Sequence, residues 1–431
     1  MSNKVLVIIV VVALFAAAWY MVFQKATTLP VEYNNSVALA RDNAEKGIYK
    51  KALQNYKDAL SIKSDDVDIY LEIADIYLKL GDERGFVNYC EKITKNFPKN
   101  QKPYEVLIEY YLRKSEYVKC YEIIRTAKRR KVLSETLTKV ENEIKYKYIT
   151  KTNTYSDVKV FNEGLCPVKI KDKWGYISDT TGTIKISAAY EDAEIFTAGN
   201  ALVKTEKEMF YIDTNGDKEL VPGDSFDYLG TFRTVAVASQ NGKYFYVDKN
   251  FNKKFGDYDF ATNISNQHAA VKKGDKWGLI NIEGQETTGF IYDDVKFDEK
   301  GNCYRNGVAF IKEKDKYYMI DAAGTKITEK GFDDVVTFAA EEPTAVKIGN
   351  LWGFVDNTGT MIIEPRYDDA RAFTNGLAPV KIDNAWGYIT KDNELVIPAK
   401  YEDAKNFTNK GAACVKSNEK WVLIKLCEYV N

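Results

Sequence analysis

"FTNGLAPVKIDNAWGYIT" (373–390) and "FNEGLCPVKIKDKWGYIS" (161–178) are two copies of one template. Phe, Gly, Leu, Pro, Val, Lys, Ile, Trp, Gly, Tyr and Ile fill the same slots in both. In "LAPVKI" residues Ala378, Val380 and Ile382 share one side of an extended chain. In "WGYI" Trp386 and Tyr388 share another. Period-two alternation with β-branched and aromatic residues predicts strands. Working outward, the Trp386 slot recurs as Trp174, Met209, Tyr244, Trp277, Tyr317, Trp352 and Trp421. An aromatic opens each unit at Tyr155, Tyr190, Phe226, Tyr258, Tyr292, Phe332, Tyr367 and Tyr401. Both series step by 32 to 40 residues, so eight units tile 155–431.

Each unit follows its opening aromatic with acidic residues ("YEDA", "YDDV", "FDDV", "YDDA"), and its paired strands lead into a turn such as "DTTG" (179–182) or "DNTG" (356–359). Asp first and Gly fourth is hairpin chemistry: the carboxylate accepts a local amide and Gly takes positive φ. Units of three or four short strands cannot bury their faces alone and must stack or close. A closed toroid or propeller removes exposed edges, whereas an open β-solenoid needs caps. The last unit ends at "KWVLIKLCEYVN" without its final strand, and "KYKYITKTNTY" (145–155) is placed to supply it and seal a ring. The short motif "WG" in "KWGYI" (173–177), "DKWGLI" (275–280) and "LWGFVD" (351–356), each before a Gly-bearing turn, resembles the WG (KWG) repeat of bacterial proteins. That resemblance spans about two thirds of the chain and brings no catalytic residue with it.

The pairs Trp174-Gly175, Trp277-Gly278, Trp352-Gly353 and Trp386-Gly387, with Trp421, are read as structural. Where Gly is lost, a bulky residue follows the slot: Phe210, Phe245, Tyr318 and Val422. Such volume exchange is expected of rings wedged between successive units. The adjacent carboxylates (Glu191-Asp192, Asp293-Asp294, Asp333-Asp334, Asp368-Asp369, Glu402-Asp403) recur too regularly for one asymmetric active site, and a turn or cap role is expected. His268 falls in an apolar slot, as a packed histidine would. The fifth unit carries extra residues, "FDEKGNCYRNG" (297–307); insertions in repeat folds map to surface loops, so Cys303, Tyr304 and Arg305 form the candidate contact loop.

Upstream the pattern turns helical with a period of 34. In windows starting at 33, 67 and 101, Ala40, Ala74 and Ile108 hold one slot and Ala59, Ile93 and Ala127 another. Small residues there let paired helices approach. This resembles the tetratricopeptide (TPR) repeat in three copies, with Phe86, Cys90 and Cys120 as apolar substitutes in core slots. "SETLTKVENEIKYKYI" (134–149) suits a capping helix. The resemblance implies a shallow groove for protein or peptide partners.

Residues 5–23, "VLVIIVVVALFAAAWYMVF", carry no charge, Gly or Pro. At about 1.5 Å per residue a helix of that length crosses a roughly 30 Å hydrocarbon core. A transmembrane helix is expected, with Lys4 favouring an N-inside orientation; the competing reading is a signal peptide cut near Ala16-Ala17-Ala18.

The organisation read from the sequence is multidomain: flank 1–4, transmembrane helix 5–23, linker 24–32, all-α TPR-like repeats with a capping helix at 33–149, and an all-β repeat domain at 155–431. The formal charge of −1 argues against nucleic-acid binding. With Lys4 apart, it divides as 24 Lys/Arg against 19 Asp/Glu over 24–150 and 36 against 43 over 151–431. A single histidine disfavours hydrolase triads and zinc sites, and six scattered cysteines without CxxC spacing read as small apolar residues. No catalytic residue, metal or cofactor is expected. The expected function is a membrane-anchored, non-enzymatic scaffold, single-pass with its bulk extracytoplasmic, binding protein or peptide partners through the TPR groove and the β-repeat surface. The alternatives are a cell-wall or glycan binder and a cytoplasm-facing adaptor.

Overall fold

A computed structural model describes residues 3–222, 226–339 and 343–430, leaving the side chains of 3–13 and 23–27 outside the description. The chain forms two compact units that divide between Lys145 and Tyr146.

The first unit is helical: α1 (Asn3–Glu45), α2 (Tyr49–Ile62), α3 (Val67–Lys79), α4 (Glu83–Asn96), α5 (Lys102–Arg113), α6 (Tyr117–Arg130) and α7 (Glu135–Glu143). Helices pair as α1 with α2, α3 with α4, and α5 with α6. Ala40, Ala59, Ala74, Cys90, Cys120 and Ala127 are fully buried, because only small side chains fit where paired axes approach closely. Asp66 and Asp82 cap α3 and α4 by accepting the N–H groups of Asp68 and Gly85, and Ser134 caps α7 through Leu137.

The apolar run 5–23 lies in α1, and so do residues 24–32, expected as a linker; the helix continues through Pro30. The transmembrane expectation for 5–23 is not met among the described residues, where no helix is long and apolar enough to cross a membrane. The side chains of residues 5–13 and Phe23 lie outside the description. The described stretch Leu14–Val22 is only about half of the span a bilayer requires.

The second unit is an eight-bladed β-propeller. Blade 1 shows the plan: a two-residue inner strand Asp157–Val158, then Leu165–Ile170, Lys173–Ser178 and the outer strand Ile184–Tyr190, all antiparallel neighbours in that order. Blades 4 and 5 have no outer strand, only isolated bridges such as Trp277 to Tyr292 and Tyr317 to Phe332. The ring closes as its missing strand predicted. Tyr148–Tyr155, from the start of the unit, pairs with the last strand, Lys420–Leu426, and becomes the outer strand of blade 8. Lys425, only 2% exposed, reinforces this seam by donating to the carbonyls of Asp179 (2.7 Å) and Thr180 (2.6 Å) in blade 1. Closure gives every blade a neighbour on both faces and leaves only short strand edges, where an open solenoid would have needed capped ends.

Candidate functional site

The tryptophan slot is buried in every copy where Trp stands: 174, 277, 352, 386 and 421 are 5–8% exposed. Each packs with the following blade, as Trp386 does with Ala404, Phe407, Ala413 and Val415. Across its own blade the slot faces the next opening aromatic. Trp174 pairs with Tyr190, Trp352 with Tyr367, Trp386 with Tyr401 and Trp421 with Tyr155. The repeat in sequence is therefore offset from the blade in space: Tyr155, Tyr190, Tyr258, Tyr367 and Tyr401, which open units, end the outer strand of the blade before, and Tyr292 and Phe332 bridge to that blade.

Glycine's role differs from the expected one. Gly175, Gly353 and Gly387 do not answer the neighbouring blade's volume. A Cβ on Gly353 would sit 2.4 Å from the Ile363 carbonyl oxygen, and one on Gly387 2.6 Å from that of Ile397. Both oxygens belong to the outer strand of the same blade. That strand is bulged there: the five residues Ile363 to Tyr367 span the three from Phe354 to Trp352. The extra backbone folds over the glycine and leaves no room for a methyl group. At two of the slots followed by bulk, a glycine opposite leaves the room. Gly256 faces Phe245 and Gly331 faces Tyr318.

Two residues beyond Trp, a buried tyrosine crosses to the next blade. Tyr176, Tyr211, Tyr246 and Tyr388 donate to the carbonyls of Glu194 (2.9 Å), Gly230 (2.5 Å), Thr262 (2.7 Å) and Lys405 (2.8 Å). Their desolvation pushes every one of these phenols above 10.0. In the quoted motif these residues read as strand alternation only, so sequence reasoning missed the hydroxyl's work.

The paired carboxylates hold turns and blades together. Asp293 takes Lys276 of blade 4 at 2.5 Å and accepts the N–H of Lys314, in its own blade's hairpin turn, at 2.6 Å. Lys276 thereby holds the Asp293 carboxyl below the usual range. Asp333 repeats this with Lys316 and the N–H of Gly349. The second carboxylate sits on the inner strand and accepts the next N–H, as Asp192, Asp334 and Asp403 do from Ala193, Val335 and Ala404. It also meets a cation from the preceding blade: Lys159 with Asp192 (3.4 Å), Lys296 with Asp334 (2.8 Å), Arg371 with Asp403 (2.8 Å). That same cation covers the slot aromatic of its own blade. Lys159 lies over Trp174 (5.6 Å), Lys296 over Tyr317 (5.5 Å), Arg371 over Trp386 (4.8 Å) and Lys405 over Trp421 (5.8 Å).

The fifth-unit insertion is not a loop on the outer surface. Asp298 builds a turn by accepting the N–H groups of Lys300 (2.9 Å) and Asn302 (2.8 Å). Glu299 then pairs with Lys405 of blade 8 (2.9 Å), and the Lys300 ammonium donates to Asn162 of blade 1 (3.0 Å). Blade 5 stands opposite blade 1 in a ring of eight, so residues 298–302 strap the central opening. Burial pushes the Lys300 ammonium down. Of the three residues named as a contact loop, Cys303 is buried at 2% exposure, because the chain turns inward there, and its thiol is pushed up to about 12 by desolvation. Tyr304 and Arg305 form a short strand against Ala309 and Val308. The Tyr304 ring lies 4.5 Å from His268, which is half-buried and held through Nδ1 by the Asn266 carbonyl (2.9 Å). The Arg305 Nε is buried without a partner. All six cysteines are free and buried.

Beside the strap, between it and the inner strands of blades 2, 3 and 4, lies a cavity of about 310 Å³. Tyr228, Tyr244, Phe260 and Phe297 form an aromatic wall, with centroids 6.3, 4.9 and 5.9 Å apart in that order. Tyr228 is 39% exposed, and desolvation pushes its phenol up to about 12. Glu194, Asp298, Glu299 and Lys300 are the charged groups of the lining.

The WG containing repeat model matches residues 154–174, 174–207, 244–277, 277–317, 352–384 and 386–421. The propeller carries WG repeats. The TPR repeat model matches residues 40–81 in the helical unit. The stretches between the WG matches start at the slots held by Met209 and Tyr317, where both Trp and Gly are gone. No curated protein matches the sequence. Among solved structures the chain is similar to PorZ, an essential bacterial surface component of the type-IX secretion system of Porphyromonas gingivalis, at 7% identity and a TM-score of 0.36 over 63% of this chain. It spans 42% of the PorZ chain. It is also similar to Kluyveromyces lactis Hsv2, at 9% identity and a TM-score of 0.35, covering 63% of this chain and 97% of that one. A chain of a mitotic checkpoint complex is similar at 8% identity and a TM-score of 0.36, covering 65% and 93%.

Proposed function

We propose that this protein is a non-enzymatic scaffold, anchored in the cell membrane by residues 5–23, that gathers protein or peptide partners on its extracytoplasmic side through TPR and WG repeats. One observation carries the reading. The recurring polar groups of the propeller are consumed in holding it together, and the chain departs from its template around one concave site. Glu191, Asp293 and Asp333 serve turns and lysines, Asp192, Asp334 and Asp403 serve cations, and the slot rings serve the core. The strap ties blade 5 to blades 1 and 8, but the cavity beside it serves no such end. Site-bearing departures from a repeated scaffold are where repeat proteins bind.

Anchoring is supported by the described part of the apolar run. Leu14, Phe15, Trp19, Met21 and Val22 are 61–77% exposed, an apolar surface that calls for lipid or a partner to cover it. The test has two parts. Alkaline phosphatase fused after residue 431 should be active and a fluorescent protein dark, with the chain sedimenting with membranes; the opposite pattern refutes the extracytoplasmic placement and supports the cytoplasm-facing adaptor. Crosslinking in intact cells should capture protein partners that are lost when the propeller is deleted; recovery of glycan alone would replace the scaffold with a cell-wall binder.

A further inference from the structure

A pattern recurs at the rim of the central opening, and at the cavity consecutive blades depart from it together. Two residues after the start of the inner strand, blades 1, 5, 7 and 8 place Lys159, Lys296, Arg371 and Lys405, each over an aromatic of its own blade. Blades 2, 3 and 4 place Glu194, Gly230 and Thr262 there, and blade 6 places Val336. At the start of the inner strand, where Asp157, Asp192, Asp294, Asp334, Asp369 and Asp403 recur, blades 3 and 4 place Tyr228 and Phe260. The chain thus withdraws its own cations from three consecutive blades and turns two carboxylates into rings. Among the described residues no cation of this chain lies over Tyr228, Tyr244, Phe260 or Phe297.

The charges favour the same occupant. Three carboxylates face the cavity against one ammonium, that of Lys300, which is committed to Asn162. Glu194 is met by Lys159 at 3.1 Å, Asp298 by its own turn and Glu299 by Lys405, so the lining is acidic without being unstable. Asn263 adds an acceptor. Its Nδ2 donates to the Lys300 carbonyl (3.1 Å), which fixes the amide, and its Oδ1 is buried without a partner on the cavity wall. Aromatic faces with nearby carboxylates and a carbonyl oxygen recognise a cation by its charge and its N–H groups together.

We propose that the axial cavity receives a basic side chain, arginine or lysine, of a partner protein, supplying at blades 3 and 4 the cation that the chain supplies to itself at blades 1, 5, 7 and 8. This specifies the scaffold reading above and rests on it, but it is tested apart from it. Calorimetric titration of the full-length chain uses three probes: Nα-acetyl-arginine methylamide, its lysine counterpart, and the citrulline analogue, which keeps arginine's shape without its charge. Saturable binding of at least one cationic probe is expected, with citrulline weaker by about tenfold or more. The double variant Glu194→Lys with Tyr228→Asp rebuilds the pair found at Lys159 and Asp192. It should keep the fold, read by an unchanged melting temperature, and lose the cationic probe by about tenfold or more. Phe297→Ser, at a ring 37% exposed that lies outside every blade strand, removes part of the wall and should weaken binding in the same direction. Absence of binding by either cation, equal binding of citrulline, or undiminished binding by the folded variants each overturns the proposal. Partner capture that survives loss of the cation site sinks the cavity alone and leaves the scaffold.

Discussion

The account of the WG motif can be tested with one methyl group placed at two positions. At Gly353 an added Cβ would meet Ile363 O at 2.4 Å, Pro365 N at 2.8 Å and Glu364 C at 3.0 Å, all backbone. At Gly278, in a blade whose outer strand is reduced to bridges, the nearest atom is Gly289 O at 3.1 Å and the next lies at 3.4 Å. Overpacking a close-packed interior costs about 1–3 kcal/mol, and contacts that only backbone movement can relieve belong at the upper end. Gly→Ala also gains about 0.4–1 kcal/mol by restricting the unfolded chain, provided the native φ suits alanine, as it does at both positions. Gly353→Ala should then lose about 2–3 kcal/mol and Gly278→Ala close to none. For a domain of this size the first corresponds to a fall of about 4–10 °C in melting temperature. Indole fluorescence during thermal and urea unfolding reports the propeller, which holds five of the six tryptophans. Equal losses at the two positions would refute the argument, because the outer-strand bulge distinguishes them whereas packing against the next blade does not.

Three further outcomes are expected. Lys425→Met removes two charged hydrogen bonds from the seam while keeping the apolar stem, so it should cost about 2 kcal/mol and speed amide exchange in 148–155 before other blades; uniform acceleration would count against a local seam. Alkaline stability should show a rise and then a fall. Desolvation holds Lys425 and Lys300 below 10.5, so the folded chain binds fewer protons than the unfolded one and stability rises as pH climbs to that value. Tyr176, Tyr211, Tyr246 and Tyr388 are raised above 10.0, so from about pH 10 the unfolded chain ionises first and stability falls, by about 1.4 kcal/mol per pH unit for each phenol. Urea midpoints between pH 8 and 11 follow both limbs, and Tyr246→Phe should make the falling limb shallower. Glu299→Gln breaks the strap's hold on Lys405, whose side chain is 15% exposed, and should cost about 1 kcal/mol while leaving blades 1 and 8 intact by amide exchange.

Residue identity carried the parts of this fold that depend on neighbours along the chain. Period-two alternation marked the strands, Asp and Gly marked the hairpins, and the strand missing from the last unit pointed to Tyr148–Tyr155 as the closing partner. Small residues at fixed slots marked the helix pairs. Long-range partners were hidden. Gly353 has a reason to exist only once Ile363 and Pro365 fold back over it, and "TMIIEP" read alone is a short apolar run with no sign of a bulge. The insertion at 297–307 advertised its extra length but not its direction, since Asn162 and Lys405 lie 138 and 106 residues from the groups they hold.

The cavity could have been found from the sequence by asking a different question of the same alignment. Attention to what recurs leads to the Trp slot, which is structural, and attention to length leads to Cys303, Tyr304 and Arg305, which turn inward. Composition at fixed slots leads elsewhere. Glu194, Gly230 and Thr262 replace a cation in three consecutive units, and Tyr228 and Phe260 replace a carboxylate in two of them. Each replacement alone looks like tolerated drift at a rim. Drift, however, has no reason to exchange the cation and the carboxylate in adjacent units and leave a contiguous aromatic wall where both were lost. Losing one partner of an ion pair strands the other, and at the two junctions joining blades 2, 3 and 4 both partners are gone: Glu194 faces Tyr228 and Gly230 faces Phe260 across one continuous surface. That surface lines the cavity, and the strap encloses it from the opposite side. In a ring built by repetition, function is encoded where consecutive copies stop repeating together.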